Sequence, residues 1–91
     1  MGQAHTVTVE FFGIPRHRAR RTELTVPAGT VGEVLASVGA ACPELADLVQ
    51  TGGRLSPDVV LSVDGTRFGA DLDQALAPGA RLLLFSADAG G

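Results

Sequence analysis

Residues 6–38 read Thr6-Val-Thr-Val-Glu-Phe-Phe-Gly-Ile-Pro-Arg-His-Arg-Ala-Arg-Arg-Thr-Glu-Leu-Thr-Val-Pro-Ala-Gly-Thr-Val-Gly-Glu-Val-Leu-Ala-Ser-Val38, and the hydrophobic period changes twice along them. The first six alternate polar and apolar, with Val7, Val9 and Phe11 on one face, as a half-buried strand does, and Phe12 then falls on the opposite face. Gly13, Ile14 and Pro15 break the alternation. Residues 21–26 resume it with Leu24 and Val26 inward, which predicts a hairpin closed by an arginine-rich loop. Thr30 with Glu33 three residues later has the form of a capping box, and Val31, Val34, Leu35 and Val38 follow at the spacing of an amphipathic helix. Gly32 and Gly39 each cost that helix about 1 kcal/mol relative to alanine, so its stability is expected to come from packing across a sheet.

Outward from this stretch, Pro43 should end the helix, leaving Cys42 as a small buried hydrophobe at its end and residues 43–49 as a further short turn with Leu45, Leu48 and Val49 apolar. Thr51-Gly-Gly53 and Ser56-Pro-Asp58 are loop chemistry. Residues 59–63 are the most β-branched in the chain, and Asp64-Gly65 supplies a two-residue hairpin turn before a short return strand through Phe68. Pro78-Gly79 turns the chain again, and residues 81–85 are apolar on both faces, as a central strand would be. Strand, strand, helix, strand, short strand, strand describes an α+β domain of the β-grasp type. One main helix should pack across one face of a mixed four- to five-stranded sheet, with the first and last strands side by side. The expected organisation is a single domain over residues 1–85 and a flexible tail over 86–91.

Ninety-one residues make one domain, and a chain this short buries only about 60–65% of its unfolded surface, which disfavours an enzyme with an enclosed pocket. The single cysteine forbids an internal disulfide, a cysteine-built zinc site and an iron–sulfur cluster, so the plant-type ferredoxins that share this strand order are excluded. The longest apolar run, residues 82–85, is far short of the roughly 20 residues that cross a bilayer, and residues 1–5 carry no basic and apolar leader. The expectation is a cytoplasmic protein with no membrane partner. A net charge of −3 gives no reason to bind nucleic acid. Arg16, Arg18, Arg20 and Arg21 hold four of the seven positive charges, and the simplest reading of them is a solvated loop. There is no lysine, hence no Schiff-base amine and no Walker A phosphate loop. His5 and His17 have no cysteine or paired carboxylates at ligand spacing, and Ser37, Ser56, Ser62 and Ser86 lack a nucleophile context, so no catalytic group, metal site or bound cofactor is expected. Because one helix covers one sheet face, either Leu82 with Leu84 or Leu83 with Phe85 should join Phe12 in an exposed patch, unless residues 43–58 fold over and bury it.

The chain ends Gly90-Gly91, which average glycine usage would produce in about 0.5% of chains. With Val9-Glu-Phe-Phe-Gly-Ile-Pro-Arg16, the helix after Thr30, Val63-Asp-Gly65, Leu76-Ala-Pro-Gly79 and this end in the same order, the sequence resembles the ThiS/MoaD family of ubiquitin-like sulfur carriers over almost its whole length. It departs from them in carrying Asp64 where asparagine is usual, and Ala80-Arg81 in place of an acidic pair that forms part of the partner surface. The resemblance implies a protein cosubstrate. A ubiquitin-activating-type enzyme would use ATP to adenylate the carboxylate of Gly91, and a sulfur donor would displace AMP to leave a thiocarboxylate for a downstream sulfur-accepting enzyme. Activation is needed because a terminal carboxylate, with a pKa of about 3.5, is ionised and resists nucleophiles. Gly90 would let the chain enter a narrow channel, having no Cβ to obstruct it, while Phe12 and Phe85 would contribute to docking. Two alternatives stay open: the small subunit of molybdopterin synthase, and a β-grasp interaction module with an unreactive end.

Overall fold

The computed structural model describes residues 5–49, 56–64, 67–68 and 71–86. Five strands form one mixed sheet in the order β2-β1-β5-β3-β4, with β1 at Thr6–Phe11, β2 at Glu23–Pro27, β3 at Val59–Val63, β4 at Arg67–Phe68 and β5 at Arg81–Ser86. The fold is the expected β-grasp. Strand β1 runs antiparallel to β2 and parallel to β5, so the first and last strands lie side by side at the sheet's centre. Strand β5 is antiparallel to β3 on its other edge.

Helix α2, Val31–Ala41, crosses one face of the sheet and buries Val31, Val34, Leu35 and Val38. These are the four positions given by its sequence periodicity. They meet Val7, Val9 and Phe11 of β1 and Leu82 and Leu84 of β5 in a single core. The capping box is present: Thr30 Oγ1 accepts from Glu33 N at 3.1 Å, and Glu33 Oε1 accepts from Thr30 N at 2.9 Å. Val31 N and Gly32 N donate to the carbonyls of Gln74 and Leu72, and Val34 N to that of Thr30, so the segment before β5 satisfies the helix's free amides. The helix ends at the buried Cys42 before Pro43. A 3₁₀ turn, Pro43–Leu45, then leads into the short helix α3, Ala46–Val49. Together they carry Leu45, Leu48 and Val49 into the α2 side of the core. Gly39 faces this segment, and a Cβ there would meet Val49 Cγ2 at 3.4 Å and Ala46 Cα at 3.5 Å, ordinary contact distances.

Three expectations need correcting. The arginine-rich connection between β1 and β2 is a helix, α1, Ile14–Ala19, rather than a loop. Its Pro15 occupies the first turn, where the absent N–H is not needed, and Arg16, His17 and Arg18 lie in the last turn, where positive charge suits the helix dipole. Arg20, in the left-handed region at φ 59°, closes it by donating its N–H to the Arg16 carbonyl. The β3–β4 connection is three residues long, since Val63 pairs with Arg67 and leaves positions 64–66 between them. Finally, Ser86 is the last residue of β5 and is buried, although the sequence assigned it to the tail. The turn before β5 is as expected: Ala80 N donates to the Ala77 carbonyl at 3.0 Å with Gly79 at φ 86°, the type II geometry that glycine accommodates.

Leu35 is completely buried beneath the sheet. Leu35→Ala is expected to destabilise the domain by about 2–5 kcal/mol through lost contacts and a cavity. Denaturant unfolding of the two proteins checks it, with a lower midpoint at an unchanged m value.

Candidate functional site

Strand β5 divides its side chains between two environments. Leu82 and Leu84 are completely buried under α2, while Leu83 and Phe85 face away from it and stay half-buried. The register extends this outer face, because Phe85 lies opposite Val60 of β3 and Leu83 lies between Glu10 of β1 and Ser62 of β3. Phe12, just past the end of β1, stacks on Phe85 with ring centroids 5.1 Å apart and planes 18° from parallel. Sequence left open which pair on β5 accompanies Phe12. The pair is Leu83 and Phe85. Of residues 43–58, the segment that could instead have covered this face, residues 43–49 pack against α2 on the other one, and residues 50–55 lie outside the described residues.

The apolar end of this face is continuous with the end of the strand. Ser86 Oγ accepts a hydrogen bond from Ile14 N at 2.6 Å and so ties the last residue of β5 to the start of α1. Gly13 makes that approach possible. It sits at φ 67°, and a Cβ there would collide with Ser86 Oγ. Ile14 itself is 43% exposed, the large hydrophobic most open to solvent among the described residues. Gly90 and Gly91, the reactive end inferred from sequence, lie outside the described residues. The last described residue, Ser86, is held with the Phe12–Phe85 stack on one side of the sheet and α1 on the other.

The opposite end of the outer face is charged. Arg81 at the start of β5 reaches Glu10 Oε2 at 2.9 Å and Glu23 Oε1 at 3.7 Å. Glu10 and Glu23 are direct cross-strand partners whose like charges would repel, and Arg81 offsets that repulsion. Asp64, at φ 55°, donates its N–H to the Arg81 carbonyl at 2.7 Å and accepts from Arg81 N through Oδ1 at 2.9 Å. Any carboxamide or carboxylate oxygen at this position can accept that bond, so Asp64 retains the turn that asparagine would make. Arg81, with Glu10 and Glu23, forms a three-residue ion network at this corner.

The remaining sequence candidates occupy ordinary positions. His5 and His17 are exposed, and no three His, Cys, Asp or Glu side chains cluster among the described residues. Ser56 Oγ accepts from Asp58 N in a local turn. Ser62 Oγ is buried on the outer side of β3 with no hydrogen-bond partner among the described residues. The arginines line an open groove beside α1, where Arg18 pairs with Asp47 Oδ1 at 3.3 Å. Sequence patterning missed α1 because Gly-Ile-Pro reads as a break and six residues show no helical period. The later run of basic residues after Pro15 was the available signal.

Compared by structure, the chain superposes on SAMP1 from Haloferax volcanii with a TM-score of 0.80 and 26% identity, covering 94% of this chain and 99% of that one. Its relatives of this shape are ubiquitin-like β-grasp proteins of the ThiS/MoaD type. Small archaeal modifier protein 1 from Methanosarcina acetivorans gives a TM-score of 0.79 at 20% identity over 99% of this chain and 100% of the other. A putative molybdopterin converting factor, subunit 1, from Pyrococcus furiosus gives 0.71 at 19% identity over 89% and 95%. At those last two identities the likeness is one of fold. No protein-family model and no curated protein matches the sequence.

In this ubiquitin-like domain the Gly13–Ser86 contact is expected to hold the strand end in place. Gly13→Ala should destabilise by about 1–3 kcal/mol, from the strained backbone angle and the steric conflict. Ser86→Ala should cost only about 1 kcal/mol, the worth of one hydrogen bond. Thermal melts of both variants check the order, and a Gly13→Ala melt equal to that of the parent would contradict the contact.

Proposed function

We propose that this protein is a ubiquitin-like sulfur carrier whose Gly91 carboxylate is adenylated and then converted to a thiocarboxylate that donates sulfur in biosynthesis. The observation that supports the reading is a sequence ending in Gly90-Gly91, four and five residues after a central strand whose last residue, Ser86, is anchored beside a half-buried aromatic patch in a fold shared over 94% of the chain with SAMP1. Proteins of this kind are small carriers rather than enzymes, and they work with activating enzymes.

The chemistry follows from what the end lacks. The ionised carboxylate attacks the α-phosphorus of ATP in the partner's site, releasing pyrophosphate and forming an acyl adenylate. A sulfide sulfur then attacks the carbonyl carbon; the C–S bond forms, the C–O bond to AMP breaks, and AMP leaves with the electron pair. This protein's contribution is delivery. Glycine at both last positions permits the backbone angles and close approach that a narrow channel demands. Phe12, Phe85 and Leu83 offer apolar area to a docking partner at little cost to the free domain, since it already leaves them partly in water. The activating enzyme, the sulfur donor and the sulfur acceptor are the partners, and ATP is bound by the activating enzyme.

A second reading uses the same adenylate. SAMP1 is described as a modifier, which corresponds to transfer of the activated glycine onto an amine of another protein. This chain has no lysine, so it would be the donor in such a conjugate and would not form lysine-linked chains with itself.

Incubation with an activating enzyme of this type, ATP and sulfide should replace one terminal oxygen by sulfur, a gain of about 16 Da read by intact-mass spectrometry. Deleting Gly90-Gly91, or extending the chain past Gly91, should abolish that gain while leaving the thermal midpoint nearly unchanged. A persistent gain in the deleted protein would contradict the assignment, and a modified lysine on another protein in place of the gain would support the modifier reading.

A further inference from the structure

The four arginines that sequence reading consigned to a solvated loop are held together by a helix. Arg16, His17, Arg18, Arg20, Arg21 and Glu44 line an open groove of about 760 Å³ beside α1. All four guanidinium side chains belong to exposed residues. Arg18 is paired with Asp47, whereas Arg16, Arg20 and Arg21 meet no carboxylate at ion-pair distance among the described residues. The rest of the chain carries three arginines against ten acidic residues. Positive charge is thus concentrated on one short element of an otherwise acidic domain.

The groove's position gives that charge a direction. Gly13, at its edge, packs on Ser86, and Ile14 N is bonded to Ser86 Oγ, so the groove adjoins the point from which the C-terminal residues leave the domain. A protein that takes up those residues has α1 at the margin of its own entrance. We propose that the α1 groove docks an acidic surface segment of the protein that receives the C-terminal end, and that it accelerates encounter without taking part in the chemistry. This rests on the carrier reading, and it adds a second attachment on the face of the sheet opposite to Phe12 and Phe85.

Charge complementarity favours an acidic protein over nucleic acid. A six-residue helix spans about 9 Å, room for a few aspartates or glutamates. A duplex presents one charge per about 1.7 Å along its axis and would bring its phosphates against the acidic remainder of the domain. The groove's lining has no Phe, Tyr or Trp, so it lacks the large aromatic platforms that single-stranded nucleic acid stacks on. Arg rather than Lys also suits carboxylates, which the guanidinium can bind through two parallel hydrogen bonds.

The test uses the full-length protein and the Arg16→Gln, Arg20→Gln, Arg21→Gln triple variant, which keeps the Arg18–Asp47 pair. Stopped-flow association with the activating enzyme is measured at low and high salt, and adenylation is measured to its end point at saturating enzyme. The expected result is association about tenfold slower for the variant at low salt, a difference that closes as salt screens it beyond about 10 Å at 0.1 M, with the same end point for both proteins. Equal association rates at low salt would overturn the proposal while wild-type adenylation left the carrier reading intact. Failure of the wild type to be adenylated at all would remove both. In a parallel titration, a deca-glutamate peptide should shift the α1 amide resonances of the wild type and not those of the variant. Tighter binding of a 20-base-pair DNA duplex than of the peptide would overturn the choice of partner.

Discussion

The parallel pairing of β1 with β5 holds the two ends of the described chain together, and nearly every other feature follows from it. Thr8 lies opposite Arg81 and Phe11 opposite Leu84, contacts that join residues from opposite ends of the sequence. Parallel strands cannot be joined by a tight turn, so everything between them must form a long crossover. That crossover supplies α2, which buries Leu82 and Leu84 against Val9 and Phe11. Loop-closure entropy opposes such a distant pairing, and the buried area beneath α2 is what offsets it. The segment preceding β5 adds a local reinforcement by bonding the amides at the start of α2, so the helix cap and the last strand are positioned together.

Among the described residues a single layer of helix covers one face of β5 and leaves the other half-buried, the face that the proposed docking would use. Leu83, Phe85 and Phe12 stand where a second layer would be in a larger protein. Stacking of the two phenylalanines reduces their exposed area without removing it, which suits a surface that alternates between water and a partner. The Arg81 network at the far corner limits the apolar region to the end nearest Ser86. The aromatic patch and Ser86, the last described residue of β5, therefore lie at the same end of the sheet.

Helix α1 fills the connection between β1 and β2. Its six residues connect two strands that a short turn could have joined, and its start is locked to β5 through Gly13, Ile14 and Ser86. The helix dipole favours the basic residues in its last turn, so the local structure tolerates a charge density that the same sequence in an extended loop would disperse. The separation of a positive groove from an acidic remainder orients the domain in the field of a partner before any contact is made.

Much of the molecule was legible in the sequence because its signals are local and periodic. Val7, Val9 and Phe11 alternate, Val31 to Val38 repeat at helical spacing, and the Thr30–Glu33 box lies within one turn; in each case the residues that produce the pattern are those that bury or bond. The glycine end, through the family resemblance it completes, pointed to the delivered carboxylate proposed above. Tertiary structure decided what depends on residues distant in sequence. It alone showed that Leu83 and Phe85, rather than Leu82 and Leu84, share a face with Phe12, because strand alternation defines two faces without saying which one α2 covers. It turned Gly-Ile-Pro from a break into a helix start, because Ser86, distant along the chain, supplies the hydrogen-bond acceptor for Ile14 N. It also placed Ser86 in the sheet instead of the tail. A strand's last residue is assigned by the neighbours it pairs with, here Val59, and no local pattern encodes those neighbours.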